Sequence, residues 1–395
     1  MVVAHPLTEP FQLPVSPLVS AWICTAIVLV VAFAWPRATG SRHDGDARTA
    51  SWEGRLSPPR LITRLVAVGL LVLAIAAGRV GTNDELENLA PALVVGSAWP
   101  LLVLVSALAG PVWRSVDPWD TLARATRDAG GQPWTSVWPA ALVALPWVWF
   151  LSAYSDTLEP RSVGTLLALY TVFTVAGCLA VGRRRWLSSA EPLGLLLAWC
   201  ALLPQRRLAG WLPPRGAEAL LGVLAGGILF GAARRSELWG DLNTIEHADL
   251  VAAIGVLVAA TVGAALLLGI RAVARIETPA AAVTVARAAL PGVAAIVVAV
   301  AMERNRLTTS VQLLPGLLGD PFGEGWDLLG EAGAGLVAEP FGIRGLLLAQ
   351  LGVVLAGHVA GAIVAARSLE RSARIPVALG LGLLANASVM AIATH

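Results

Sequence analysis

The chain has 395 residues, 56% hydrophobic and only 14% charged, with a mean hydropathy of +0.72 and a net charge of +2. A soluble globular protein carries about 25% charged residues, and a soluble fold of this composition would expose apolar patches that aggregate. A soluble enzyme, a disordered chain, a secreted disulfide scaffold and a nucleic-acid binder are therefore excluded, leaving an all-α, polytopic integral membrane protein in contact with the lipid bilayer.

A span needs about 20 apolar residues to cross roughly 30 Å of hydrocarbon, and it must be helical because lipid offers the backbone no partner. Ten stretches qualify: 16–35, 61–81, 91–112, 138–156, 163–182, 216–233, 250–270, 284–303, 345–366 and 375–394. The first reads as a span and not a cleavable signal, since no basic segment precedes it and no small-residue cleavage site follows. It ends at Trp35-Pro36-Arg37, an interfacial anchor. Trp113, Trp138, Trp186, Trp211 and Trp239 also fall near span ends and suggest an aromatic belt.

All 28 basic residues are Arg. With the N-terminus outside and ten alternating spans, 21 Arg lie in inner segments and seven in outer ones, while the 26 acids divide 16 outside and 10 inside. Inner loops carry the positive excess, so the expectation is N-out/C-out in the cytoplasmic membrane. Between spans, residues 186–215 contain an apolar run too short to cross, and 307–340 are too apolar for a free linker. Both read as interfacial or re-entrant segments within a single domain, 1–395.

Acid-proline pairs at Asp117-Pro118, Glu191-Pro192, Asp320-Pro321 and Glu339-Pro340 predict helix starts, because Pro has no N–H to lose in a first turn. VDPWDTL (116–122) and GDPFGEGWDLLG (319–330) follow spans three and eight, which hints at two inverted halves. Residues 307–340 are expected to form ordered helices packed on the outer membrane surface, capped at Asp320 and anchored by Phe322 and Trp326.

Polar residues at bilayer depth are costly and so are the first functional candidates. His358 and Gln350 lie in span nine, and Asn386 and Ser388 in span ten. A short hairpin joins these spans, so His358 and Asn386 are expected to meet in the interior, as a pathway site or as an interhelical hydrogen bond. Gly357 and Gly361 flank the His at GxxxG spacing, and span six carries Gly222, Gly226, Gly227 and Gly231. Such faces suit close packing inside the chain or a homodimer.

At the outer face Glu303, Asp241, Glu246 and His247 suggest a vestibule, or in an alternative reading a metal-assisted hydrolase site. HExxH, Walker A and GxSxG motifs do not occur in the sequence. NDELE (83–87) and DPWD (117–120) superficially suit a shared magnesium site, but the topology puts them on opposite faces. Cys24, Cys178 and Cys200 lie in apolar runs without CxxC spacing and read as small buried hydrophobes. No cofactor and no metal is expected.

GPVWRSVDPWDTLAR (110–124), LGDPFGEGWDLLG (318–330) and LGVVLAGHVAGAIVAARSLE (351–370) resemble a family of multi-pass actinobacterial membrane proteins labelled fenitrothion hydrolase-like. The resemblance implies a polytopic fold, and its label implies organophosphate hydrolysis. It also implies His residues at the end of the span before the DPFG loop, where this chain has Met302-Glu303-Arg304-Asn305-Arg306. His358 is the family His that is retained. Together these features favour a non-enzymatic membrane protein, either transporter-like or a membrane-embedded subunit of a larger complex.

Overall fold

The computed structural model describes residues 16–37, 58–124, 133–204, 207–236, 239, 247–303, 306–330 and 342–394. Among them there is no β-strand, only an isolated bridge between Ser136 and Arg215. The helices, in chain order, are α1 (Pro17–Ala34), α2 (Pro58–Val80), α3 (Pro91–Ala109), α4 (Trp113–Val116), α5 (Pro118–Arg124), α6 (Trp138–Ser152), α7 (Pro160–Val181), α8 (Arg183–Leu187), α9 (Pro192–Cys200), α10 (Ala217–Arg234), α11 (Ala248–Glu277), α12 (Pro279–Ala301), α13 (Arg306–Gly319), α14 (Gly342–Ser368) and α15 (Arg371–Ala393). The protein is an all-α polytopic membrane protein. Nine of the described helices are long and apolar enough to cross a bilayer.

The fourth expected span is the exception. α6 has 15 residues and contains Pro146, which gives a length of about 22 Å at 1.5 Å per residue. Its end is enforced locally, because the Thr157 hydroxyl donates to the Phe150 carbonyl at 3.1 Å and turns the chain back.

The connections fall on two faces. On one face the Thr82 amide donates to the Phe322 carbonyl (2.7 Å), Asn83 to Glu159 (3.3 Å) and Arg161 to the Gly81 carbonyl (3.3 Å), while Arg235 donates to Glu303 (2.6 Å). On the other, Arg37 pairs with Glu370 (3.0 Å), Thr63 donates to the Ser115 carbonyl (2.6 Å), and the Val137 amide donates to the Arg215 carbonyl (2.8 Å). The first set joins the segments expected outside and the second those expected inside. α6 runs between the two sets despite its length.

α12 is the hub. In its apolar window 83% of residues are buried, against 22% in the long α11, whose Leu250, Ile254, Val258 and Val262 are exposed. α10, α11, α14 and α15 all pack against α12. Small residues allow this. A Cβ on Gly222 or Gly226 would strike the α11 backbone at Gly263 and Ala259, one on Gly227 or Gly231 would meet Val148 or Ser152 of α6, and one on Gly357 or Gly361 would meet the Pro291 or Ala288 carbonyl of α12. Of the two uses expected of these glycine-rich faces, the contacts seen are those of close packing within the chain.

Asp117 and Glu191 precede α5 and α9 as expected, and Glu191 accepts from the Leu193 amide (3.0 Å) and the Gly194 amide (2.6 Å). Glu159-Pro160 also precedes a helix, α7, but its carboxylate caps no amide there. Asp320-Pro321 opens no helix. Its carboxylate closes a turn by accepting from the Glu324 (3.0 Å) and Gly325 (2.7 Å) amides, with Gly323 and Gly325 at φ +69° and +84°. The two Asp-Pro stretches thus fold differently, and Glu339-Pro340 lies outside the described residues. Phe322 packs with Leu317 and Leu89 of the α13 and α3 region, whereas Trp326 stays half exposed, its ring edge-on to Phe322. Trp113 and Trp211 are buried and belong to the interior, not to an interfacial belt, while Trp35 and Trp138 are exposed.

Gly226→Val places its branch on the Ala259 carbonyl and should lower stability by about 1–3 kcal/mol. Gly269, with open space around it, should accept Ala with a change of less than about 0.5 kcal/mol. Thermal unfolding in mild detergent compares the two.

Candidate functional site

The most unusual chemistry lies where α2, α4, α5, α7, α8 and α9 converge. Gly110, at φ +99°, ends α3 and turns the chain into α4. Asp117 then separates α4 from α5, its Oδ1 accepting the Asp120 amide at 2.9 Å. One turn on, Asp120 points inward with no exposed surface. Arg64 of α2 and Arg183 of α8 both donate to it in close ion pairs, and Arg124 donates at 2.8 Å. Arg64 also holds the Arg114 carbonyl through Nε (3.1 Å) and Nη2 (2.6 Å), closing off the end of α4. Burial opposes the charged form of Asp120. The hydrogen bonds from Arg124 and Arg64 and the charge of Arg183 outweigh it, so this carboxyl titrates below the usual range.

Two further acids share the site. Glu191 is buried and accepts a close hydrogen bond from the Tyr170 hydroxyl of α7. Asp117 is 1% exposed, and its Oδ2 has no hydrogen-bond partner. Burial, then the charges of Asp120 and Glu191, push its carboxyl well above the usual carboxylate range, against the Asp120 amide and the charge of Arg64. The indole N–H of Trp113, at the edge of Gly194 and Glu191, is also unpartnered. An aromatic column continues from here, from Trp113 to Trp119 (5.7 Å), Tyr170 (5.1 Å) and Trp147 of α6 (5.8 Å).

On the opposite face, an open cleft of about 1320 Å³ lies over the end of α6. Its lining includes Leu151, Asp156, Glu159, Arg234, Arg235 and His247, so it carries both signs of charge. Leu151 is one helical turn, about 6 Å, from Trp147. Aromatic rings of α5, α6 and α7 therefore fill the layer between the cleft and the acid cluster.

The residues expected to form a site are scattered. His358 is fully buried, with Nδ1 donating to the Val354 carbonyl at 2.8 Å. Its unpartnered Nε2 faces Gly292 beside Pro291 of α12. Asn386 is half-buried and donates to the Thr25 hydroxyl of α1 at 3.4 Å. The expected meeting of His358 and Asn386 is thus corrected, since α14 turns its His toward α12 and α15 turns its Asn toward α1. Gln350 donates to the Ala299 carbonyl at 2.9 Å and joins α14 to α12. His247 stands at the start of α11 with φ +68° and lines the cleft, and Glu303 is held by Arg235. Asp241 and Glu246 lie outside the described residues. Among the described residues, no three His, Cys, Asp or Glu side chains gather as a metal site.

Asp117, Asp120 and Glu191 sit between the long apolar helices, so the cost of a polar group at bilayer depth does not single them out in the sequence. The legible signals were Arg64 inside an apolar span and two Asp one turn apart among Trp residues. No family model matches the sequence, no curated protein matches it and no solved structure matches the fold.

Asp120→Asn leaves the Arg64 and Arg183 guanidinium groups facing a neutral amide in a buried site. Breaking a buried pair costs about 3–5 kcal/mol, whereas Arg37→Gln, in an exposed pair, should cost at most about 1 kcal/mol. Because the Asp120 pKa is lowered in the folded state, its contribution is present at neutral pH and fades as pH falls through that lowered value. Thermal unfolding against pH should show acid sensitivity in the wild type that is reduced in Asp120→Asn.

Proposed function

We propose that the protein is non-enzymatic and transporter-like, with a path along α6 and α7 that joins the open cleft to the acid cluster. The observation that carries this reading is a mixed-charge cleft at one end of α6 and buried carboxyls toward the other, joined by the aromatic column from Trp147 through Tyr170 to Trp113. A membrane subunit that only scaffolds partners has no use for desolvated acids at this position. Buried ionisable groups in membrane proteins line ion and substrate pathways. In the captured state the cleft is open, and the Arg64–Asp120–Arg183 pairs close the other end.

The same proposal includes ten crossings, with α6 as a short one, and N-out/C-out orientation in the cytoplasmic membrane. The Arg asymmetry of 21 inner to seven outer residues supports it. The resemblance to fenitrothion hydrolase-like membrane proteins belongs here too. Its three segments form α4 and α5, the turn after α13, and most of α14. The hydrolase label remains what that resemblance alone implies; within its expected site, Glu303 is held by Arg235 and His247 lines the cleft.

The native cysteines are buried, so introduced thiols can be read against a quiet background. Leu86→Cys should react with an impermeant maleimide from outside and Thr135→Cys from inside. Labelling of both from one face contradicts the orientation. Leu151→Cys should label from outside and Thr174→Cys from inside, with a lock on one abolishing the other. A second chain that co-purifies in fixed proportion and shields Leu151→Cys until stripped would replace this reading with the complex-subunit one.

A further inference from the structure

The network around Asp120 accounts for its own charge, but Asp117 is left over. Its Oδ1 has the Asp120 amide, and its Oδ2 is buried with nothing to bond. The titratable groups facing it are Asp120 on its own segment, Arg64 from α2, Tyr170 and Cys178 from α7, Arg183 from α8 and Glu191 at the head of α9. Arg64 and Arg183 are already engaged by Asp120. An ionised Asp117 would stand between two other carboxyls, in a low-dielectric site, with one oxygen unsolvated. Both desolvation and like charge disfavour that state. A protonated Asp117 removes the extra charge and leaves an O–H in place of a bare anion.

We propose that Asp117 is a proton-binding site, occupied at neutral pH, and that loss of its proton to the inner face loosens the closure formed by Arg64, Asp120 and Arg183. In that step the O–H bond of the Asp117 carboxyl breaks, its electron pair stays on oxygen and the proton passes to water. Nothing is oxidised or reduced. The new carboxylate then competes with Asp120 for Arg64, whose charge already reaches Asp117. The proposal rests on the transporter-like reading and deepens it, making the proton the coupling ion at the closed end of the path. Trp113 and Trp119, packed at 5.7 Å beside the site, report its charge state.

The test is infrared difference spectroscopy of the full-length protein in lipid nanodiscs at neutral pH. The wild type should show the C=O stretch of a protonated carboxylic acid. Asp117→Asn, which keeps the acceptor for the Asp120 amide, should lose that band, and Asp84→Asn, exposed on the other face, should keep it. Raising pH in the wild type should remove the band and shift tryptophan emission together, which needs no variant and stands even if Asp117→Asn fails to fold. The proposal is overturned if the wild type lacks the band, if the band survives in folded Asp117→Asn, or if only Glu191→Gln removes it. These readouts do not depend on transport. A band that follows Asp117 while Leu151→Cys and Thr174→Cys never alternate would support the proton site and defeat the transporter reading alone.

Discussion

A carboxylate removed from water must be met by positive charge, and Asp120 is met by three arginines from three elements. Arg64 comes from the start of α2, Arg124 from the end of α5 and Arg183 from α8. This one anion therefore fixes the first turns of α2 against α8 and holds α4 and α5 beside them. A buried ion pair of this kind is weak evidence for stability, because apolar replacements often do as well. Its value lies in geometry and in the ability to be broken. Asp117 and Glu191, gathered beside it, hold no arginine in an ion pair of their own: Glu191 accepts from Tyr170 and two amides, and Asp117 Oδ2 has no partner.

Around this node the fold follows the rule that lipid gives the backbone nothing. The described helices long enough to cross satisfy their own backbone groups, and the short α9 is buried inside protein, where Glu191 satisfies its first amides. Close approach through glycine substitutes for a hydrophobic driving force that lipid cannot supply. α12 can be central because α14 presents Gly357 and Gly361 to its carbonyls, and α10 can serve two neighbours because it has glycines on two faces. α3 departs from regular geometry over Pro91–Ala98, where a wider π-type turn is supported by the Ser97 hydroxyl donating to the Ala92 carbonyl at 2.7 Å. Ser310 of α13 seats on Gly96 there, which ties α13 to α3.

Fold class and span positions were legible because runs of about 20 apolar residues have one physical solution in a bilayer. The end of α6 was not, since its length depends on the Thr157 hydroxyl finding the Phe150 carbonyl after the chain has turned. Depth along a helix was readable for His358, but direction was not. Hairpin adjacency suggested α15 as its neighbour, whereas the glycines of α14 bring α12 closer and the ring follows them. The acid cluster is assembled from residues between 64 and 191, and no local spacing announces such a convergence. Asp320-Pro321 has the same local signal as Asp117-Pro118. Positive-φ glycines after it convert a helix start into a closed turn.

These features put a cleft on one face and a buried ion-pair cluster toward the other, with the short α6 between them. The central claim is that the two ends open in alternation. Spin-label distances in lipid, between Asp156→Cys and Leu250→Cys across the cleft and between Leu61→Cys and Arg184→Cys across the closure, test it most directly. The account predicts two populations at each pair, with the cleft narrowing as the closure widens and the balance moving with pH. A single unchanging distance at both pairs across that pH range would contradict it.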